Sequence, residues 1–333
     1  MIPSNCMVVR WVVCILMLLP PLAVGKDKEQ QEAKALLAKA RELSDIRCQG
    51  YPPFRLRMRT HVWNQEGVEH EGLYQAAWIG RQQWREEISF PNFAEVRIGG
   101  EGKVWISRSL PFLSEEMFRL REVLDFHRQL SIPAGADLKG PRVVIRKGTR
   151  MKCVQAHVKL RGRFEFCFDS DSGALVSQHV GGLVYQYQDY VSRDGRAYPR
   201  TILGSVDGRH VVEAHVEALE DQPVVEQSMF MPPADAQARP GCIHPEPAVE
   251  LEKGPPVYPH DARMRGIIGT VVVYVLVGSD GRAAGQYVVR SAGMDFDNAT
   301  REAIAGWRWK PSTCEGVPVP EETLIRIEYR LSP

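Results

Sequence analysis

Thr270-Val271-Val272-Val273-Tyr274-Val275-Leu276-Val277 decides the reading of this chain. Eight β-branched, aromatic or aliphatic residues follow one another between Gly269 and the turn Ser279-Asp280-Gly281, which is the pattern of a strand covered on both faces. Gln286 to Ser291 predicts its antiparallel partner. Asp295 to Lys310 repeats apolar residues three and four apart at Phe296, Ala299, Ala303 or Ile304, and Trp307, which predicts a helix stopped by Pro311. Trp307 and Trp309 lie two apart, so within a helix they cannot both face the sheet. Glu322 to Leu331 alternates as a third strand, with Thr323, Ile325, Ile327, Tyr329 and Leu331 on one face and Leu324, Arg326, Glu328 and Arg330 on the other. Upstream, Pro255 to Pro259 reads as extended and Asp261 to Arg265 as one helical turn stopped by Gly266. Residues 255–333 therefore predict a small α/β two-layer domain with a three-stranded antiparallel sheet. Val272, Tyr274 and Leu276 make the second face of the first strand apolar as well. That face is expected to pack against a first domain, formed by the residues upstream, or against another subunit.

Taken in order, Tyr258-Pro259, Ala262-Arg263, Gly266, Gly269, Val271, Val273, Val275, Val277, Asp280-Gly281, Val288-Val289, Ser291, Gly293, Phe296-Asp297, Ala299, Ala303, Trp307-Arg308-Trp309, Pro311, Gly316, Pro318 and Tyr329 resemble the C-terminal domain of the TonB family. The resemblance implies a two-layer fold that binds an extended peptide, the TonB box of an outer-membrane transporter, alongside its last strand. Here that strand is Thr323, Leu324, Ile325, Arg326, Ile327, Glu328, Tyr329 and Arg330. By the same resemblance Trp307 is core, and Trp309 is a shoulder of that core or part of a contact surface. Strand chemistry alone points the same way, because an edge presents unpaired N–H and C=O groups that an incoming segment can complete. Arg326, Glu328 and Arg330 would bias the choice of peptide, or they simply keep an exposed edge from aggregating.

The chain departs from energy-transducing members of that family at its start. Arg10, the apolar run Trp11 to Leu19, Pro20-Pro21 and the small residues Ala23 and Gly25 precede the charged Lys26-Asp27-Lys28-Glu29, which reads as a secretory signal over residues 1–25. The run is short of the roughly 20 apolar residues of a membrane helix. The expected location is the periplasm of a Gram-negative-type cell envelope. An uncleaved segment would instead anchor the protein in the inner membrane and add an inner-membrane energising complex to its partners. Export permits disulfides among Cys48, Cys153, Cys167, Cys242 and Cys314, an odd set. Cys153 and Cys167 lie on two extended runs joined near Arg161-Gly162 and would face each other across a hairpin, as a disulfide or as two buried thiols. Pairing among Cys48, Cys242 and Cys314 is left open.

With 333 residues there is room for a second domain behind the signal, and residues 26–231 supply it. Glu29 to Arg47 is an amphipathic helix with Ala33, Leu36, Leu37, Ala40, Leu43 and Ile46 along one stripe. Many short strands follow, separated by glycine turns and interrupted by a second helical patch from Ser114, with Ser114, Glu115 and Glu116 as cap and dipole partners. This predicts a curved antiparallel sheet or open barrel with covering helices, and so an α+β chain. The leading helix, Gly72-Leu73-Tyr74…Trp78…Gln83-Trp84-Arg85-Glu86-Glu87-Ile88, and Cys153…Phe166-Cys167-Phe168-Asp169…Gly173 resemble the LolA/LolB-like lipoprotein-carrier superfamily. The resemblance implies an acyl-chain cavity, for which Tyr74, Trp78, Trp84, Phe90, Phe93 and Trp105 are the candidate lining; as core residues they need no such role. Residues 232–254, rich in proline, read as a semi-rigid linker.

Formal net charge is +1 with no basic stripe, which argues against nucleic acid as a partner. Metalloprotease, hydrolase-elbow, phosphate-loop and Cys-x-x-Cys motifs are missing, and His61/His70 and His210/His215 lack a third ligand in sequence. No enzyme activity, cofactor or metal is expected. The function expected is a periplasmic interaction protein of the TonB family acting in TonB-dependent transport, with a lipid or lipoprotein carrier as the alternative and a structural envelope protein as a third.

Overall fold

The computed structural model of the protein describes residues 21–331 apart from 49, 127–129, 131, 133–135, 147, 159–161, 181, 222–225 and 243–244. The expected export segment lies outside these residues except for the backbone of residues 21–25, which opens helix α1 (Pro21–Ser44). Among the described residues no helix is long and apolar enough to cross a membrane.

Most of the chain builds one antiparallel sheet. Its strands are β1 (Phe54–Trp63), β2 (Glu69–Gly80), β3 (Gln83–Phe90), β4 (Phe93–Gly100), β5 (Lys103–Arg108), β6 (Asp137–Arg146), β7 (Thr149–Val158), β8 (Gly162–Asp169), β9 (Leu175–Val180), β10 (Leu183–Arg193), β11 (Arg196–Val206), β12 (Arg209–Asp221) and β13 (Gln237–Pro240). The order β13-β5-β4-β3-β2-β1-β12-β11-β10-β9-β8-β7-β6 is two meanders joined where β1 pairs with β12. The terminal strands β13 and β6 do not pair, so the sheet is open. Period-2 patterning sets each strand's orientation. On β1, Phe54, Leu56, Met58, Thr60 and Val62 are buried while Arg55, Arg57 and Arg59 face out. Helix α1 lies against β6 and β11, and α2 (Glu115–Leu124) against β12 and β1. Ala33, Leu37 and Ala40 of α1 and Met117, Leu120 and Leu124 of α2 join the inward strand residues in one core.

Residues 232–254, read from sequence as a connector, are pinned at three points. β13 adds to the edge of β5, β14 (Val249–Glu252) pairs with β17 (Arg308–Lys310), and Cys242 is bonded to Cys314. The C-terminal unit holds α3 (His260–Met264), β15 (Gly269–Val277), β16 (Ala283–Arg290), α4 (Met294–Gly306), β17, β18 (Ser312–Cys314), β19 (Val317–Val319) and β20 (Glu321–Tyr329). Its sheet is three-stranded, in the order β16-β15-β20, with α4 across β15 and β16. The inward face, Val271, Val273, Val275 and Val277 of β15 with Ile325 and Tyr329 of β20, packs on Phe296, Ile304, Trp307 and Trp309.

One expectation from helical spacing is corrected here. Helix α4 ends at Gly306, and Trp307 to Lys310 is extended. In an extended chain residues two apart share a side, so Trp307 and Trp309 both enter the core, their rings 5.9 Å apart. The β15–β16 turn is fitted to this segment. Gly281 has φ +73, and a Cβ there would meet the Trp309 carbonyl oxygen at 2.1 Å.

The second face of the small sheet is covered by the first domain. Tyr274 is 1% exposed, and Leu276, Val289 and Leu324 pack with it against the large core. Phe112 stacks on Tyr287 at 5.1 Å. The double-sided apolar pattern of β15 is thus accounted for within one chain.

Candidate functional site

Strand β20 carries the candidate site. It pairs with β15 over nine residues, Gly269↔Tyr329 through Val277↔Glu321, without a register shift. β16, on the other side of β15, is displaced by two irregularities, at Val272/Val273 and Leu276/Val277. Among the described residues no strand pairs with the outer edge of β20. The edge is therefore regular and free, the condition for strand addition.

Along the second half of this edge runs a groove of about 410 Å³. One wall is Arg326 to Arg330, the other Lys253 to Pro256, with Tyr258 and Trp307 between them. Pro255 and Pro256 have no N–H, so that wall cannot complete the β20 ladder itself. It is fixed in place by Trp307, whose Nε1 donates to the Gly254 carbonyl at 2.8 Å, and Lys253 lies 4.7 Å over the Trp307 ring. Beneath, the rings of Tyr258, Phe296 and Tyr329 form an aromatic knot with centroids 4.5 to 5.6 Å apart. Burial raises the Tyr329 phenol above its ordinary pKa, although the Thr300 hydroxyl 2.8 Å away opposes this.

The eight residues expected to bind peptide divide by face. Ile325, Ile327 and Tyr329 anchor in the small core and Leu324 in the large one, and Thr323 is half-buried. Glu328 pairs with Arg330, both outward. Arg326 is held by Glu115, the first residue of α2. Ser114 caps that helix, its Oγ accepting from the Met117 N–H at 3.4 Å. At the first half of the edge, Glu322 accepts from Arg108 Nη2 at 3.1 and 3.2 Å and from Arg239 Nη1 at 2.8 Å. Burial alone would raise the Glu322 pKa, but Arg108 and then Arg239 outweigh it and hold the carboxyl down at about 2.

The six aromatics suggested for an apolar cavity are dispersed through the first domain's packing. Tyr74, Trp78, Trp84, Phe90 and Phe93 are buried in its core, and Trp105 is half-buried on β5. Trp78 stacks on Phe54 at 6.4 Å. Arg47 is buried among them: Nη1 reaches Glu86 at 2.7 Å and Asp125 at 2.8 Å, while Nη2 donates to the Tyr74 hydroxyl at 2.7 Å. Burial disfavours the Arg47 charge, yet Glu86, Tyr74 and Asp125 together raise its pKa further. Cys153 and Cys167 form a disulfide across the register pair of β7 and β8. The Cys242–Cys314 bond was open in sequence, and the Cys48 thiol lies 3.5 Å from Arg196 Nη2. His61 pairs with Glu69, and His210 and His215 both pair with Glu213, on one outer face of β1 and β12.

The first domain is similar to the crystal structure of a LolA superfamily protein from Nitrosomonas europaea, which covers 60% of this chain and 97% of that one at 11% identity, with a TM-score of 0.40. The C-terminal part is 34% identical over 87 residues to Protein TonB of Vibrio cholerae and 38% identical over 92 residues to Protein TonB of Pseudomonas aeruginosa. These matches cover 26% and 27% of this chain and 36% and 27% of those relatives, so the chain spans about a third of the length of the curated relatives it matches. It is over residues 254–331, the segment that holds β15, β16, α4 and β20, that the chain matches the family model described as Gram-negative bacterial TonB protein C-terminal.

Proposed function

We propose that the C-terminal domain binds an extended peptide by strand addition along β20, and that the peptide is a segment of an outer-membrane transporter, met in the periplasm in TonB-dependent transport. The observation that carries this reading is the regular outer edge of β20, unpaired among the described residues, beside a groove whose far wall, Lys253 to Pro256, ends in two prolines. The transporter as partner is suggested by the match of residues 254–331. A carrier role for the first domain is less favoured, because Arg47 with Glu86 and Asp125 stands among the aromatics that would have to surround an acyl chain. Burying such a charged cluster against lipid is costly.

Successive residues of a strand point their N–H groups to opposite edges. Of the pair Ile327→Pro and Glu328→Pro, one therefore removes a donor from the β15 ladder and the other removes it from the open edge. Fluorescence anisotropy with labelled peptides from the periplasmic N-termini of outer-membrane transporters reads the result. The expected outcome is that one proline variant keeps the wild-type melting temperature and loses binding at least tenfold. Peptide affinity unchanged in a folded variant of each kind would sink the proposal.

A further inference from the structure

The Arg326 end of the groove is built around one carboxylate and three guanidinium groups. Glu115, with a side chain 5% exposed, accepts from Arg326 Nη2 at 2.7 Å on Oε1 and from Arg290 Nη2 at 2.7 Å on Oε2, and pairs with Arg119 one turn along α2. Arg290 and Arg326 are not neighbours by accident of rotamer. Both pair in register with Val272, Arg290 on β16 and Arg326 on β20, so Arg290, Val272 and Arg326 form one row across the sheet. That row faces the N-terminal turn of α2, where the helix dipole also favours the Glu115 carboxylate.

One negative charge among three positive ones leaves a surplus of two. That surplus belongs to the cluster itself; beside it Lys253 pairs with Glu250 and Arg330 with Glu328, and Glu116 stands next to Glu115 in the same turn of α2. The Arg290 Nε is buried without a partner. Arg326 spends one N–H on Glu115 while its side chain stays 43% exposed at the groove. A guanidinium with donors to spare, at the rim of a site for extended chain, recognises carboxylate.

We infer that the Glu115-centred arginine cluster gives the groove its chemical preference, selecting extended peptides that carry an aspartate or glutamate beside Arg326. Glu115 is a positioning residue for Arg326, and through it the first domain takes part in choosing the partner. The inference rests on strand addition at β20 and adds to it the class of segment bound.

The test uses the full chain on an array of decapeptides in which every position is varied between acid and amide. The wild type is expected to favour Asp or Glu at one position, with Glu→Gln at that position in the peptide weakening binding about fivefold, the size of a partly exposed charge pair. Arg326→Gln leaves Glu115 with Arg119 and Arg290, so the fold is retained; it should erase the acid preference, so that the acid and amide forms of each peptide bind alike. Glu115→Gln takes away the carboxylate that positions Arg326 and should weaken the preference; a preference unchanged in this variant overturns the positioning role. Peptides bound without acid preference, or a preference that survives Arg326→Gln, overturn the cluster's role and leave strand addition standing. Failure of the wild type to bind any peptide overturns strand addition itself, and this inference with it.

Discussion

Glu322→Gln is the substitution that most directly measures how firmly the two domains are joined. Glu322 sits on β20 and receives Arg108 from β5 and Arg239 from β13, so it ties the small sheet to the edge of the large one. Its carboxyl is lowered from 4.5 to about 2, a difference worth about 3 kcal/mol at ~1.4 kcal/mol per unit. Because the folded pKa is depressed, this stabilisation is fully present above pH 4.5 and is lost as pH falls towards 2. At pH 3 roughly 2 of those 3 kcal/mol should be gone. The amide cannot titrate, so its deficit relative to wild type should be about 3 kcal/mol at pH 7 and shrink by about 2 kcal/mol at pH 3. Urea unfolding of both proteins at the two pH values, with disulfides intact, gives the double difference. Carboxylates that share no partner with Glu322 contribute alike in both proteins and cancel in the double difference. If the deficit is the same at both pH values, Glu322 is not held by these arginines and the junction rests on its other contacts, the Glu115 ion pairs and the apolar face of β15 among them.

Cys314→Ser opens a covalent loop of sequence separation 72, for which chain entropy gives a loss of about 4 kcal/mol, read as a lower urea midpoint under non-reducing conditions. Gly281→Ala places a methyl against the Trp309 carbonyl at a φ of +73 and should cost at least about 2 kcal/mol, seen as a fall in the melting temperature.

Legibility in the sequence followed the range of the interactions concerned. β15 and β20 were readable because each strand's own period reports its faces, and the apolar Val272, Tyr274 and Leu276 announced a second covering layer. What lay on that layer was not readable. Glu115 looked like a helix-start residue, and its partners Arg290 and Arg326 stand 175 and 211 residues away. The end of α4 was misplaced because Trp307 to Lys310 fits a helical stripe as well as an extended strand, and Pro311 is a more conspicuous stop than Gly306. β13 and β14 are four residues each, too short to show a period, and prolines around them read as connector. Cysteine spacing carries no connectivity, so Cys242 and Cys314 could not be matched. At the candidate site the edge strand was visible beforehand. The proline wall of the groove and the fixed Arg326 came only from the fold.

Covering one face of the small sheet has a consequence for how it can bind. Its inward face is closed by α4 and the two tryptophans, and its second face by Phe112, Glu115 and the edge of the large sheet. With both sheet faces largely covered, the backbone groups of the sheet are reached at its edges. The β16 edge is interrupted twice in its register with β15, and a bulged strand presents its donors and acceptors out of phase with a straight partner. β20 keeps phase over its whole length. Under the strand-addition proposal a partner would therefore join β20 as extended chain, and along its second half it would pass Arg326. Since Arg326 is held from the first domain, a partner's affinity should change when that domain is altered at Glu115, even though among the described residues none of the first domain lines the groove.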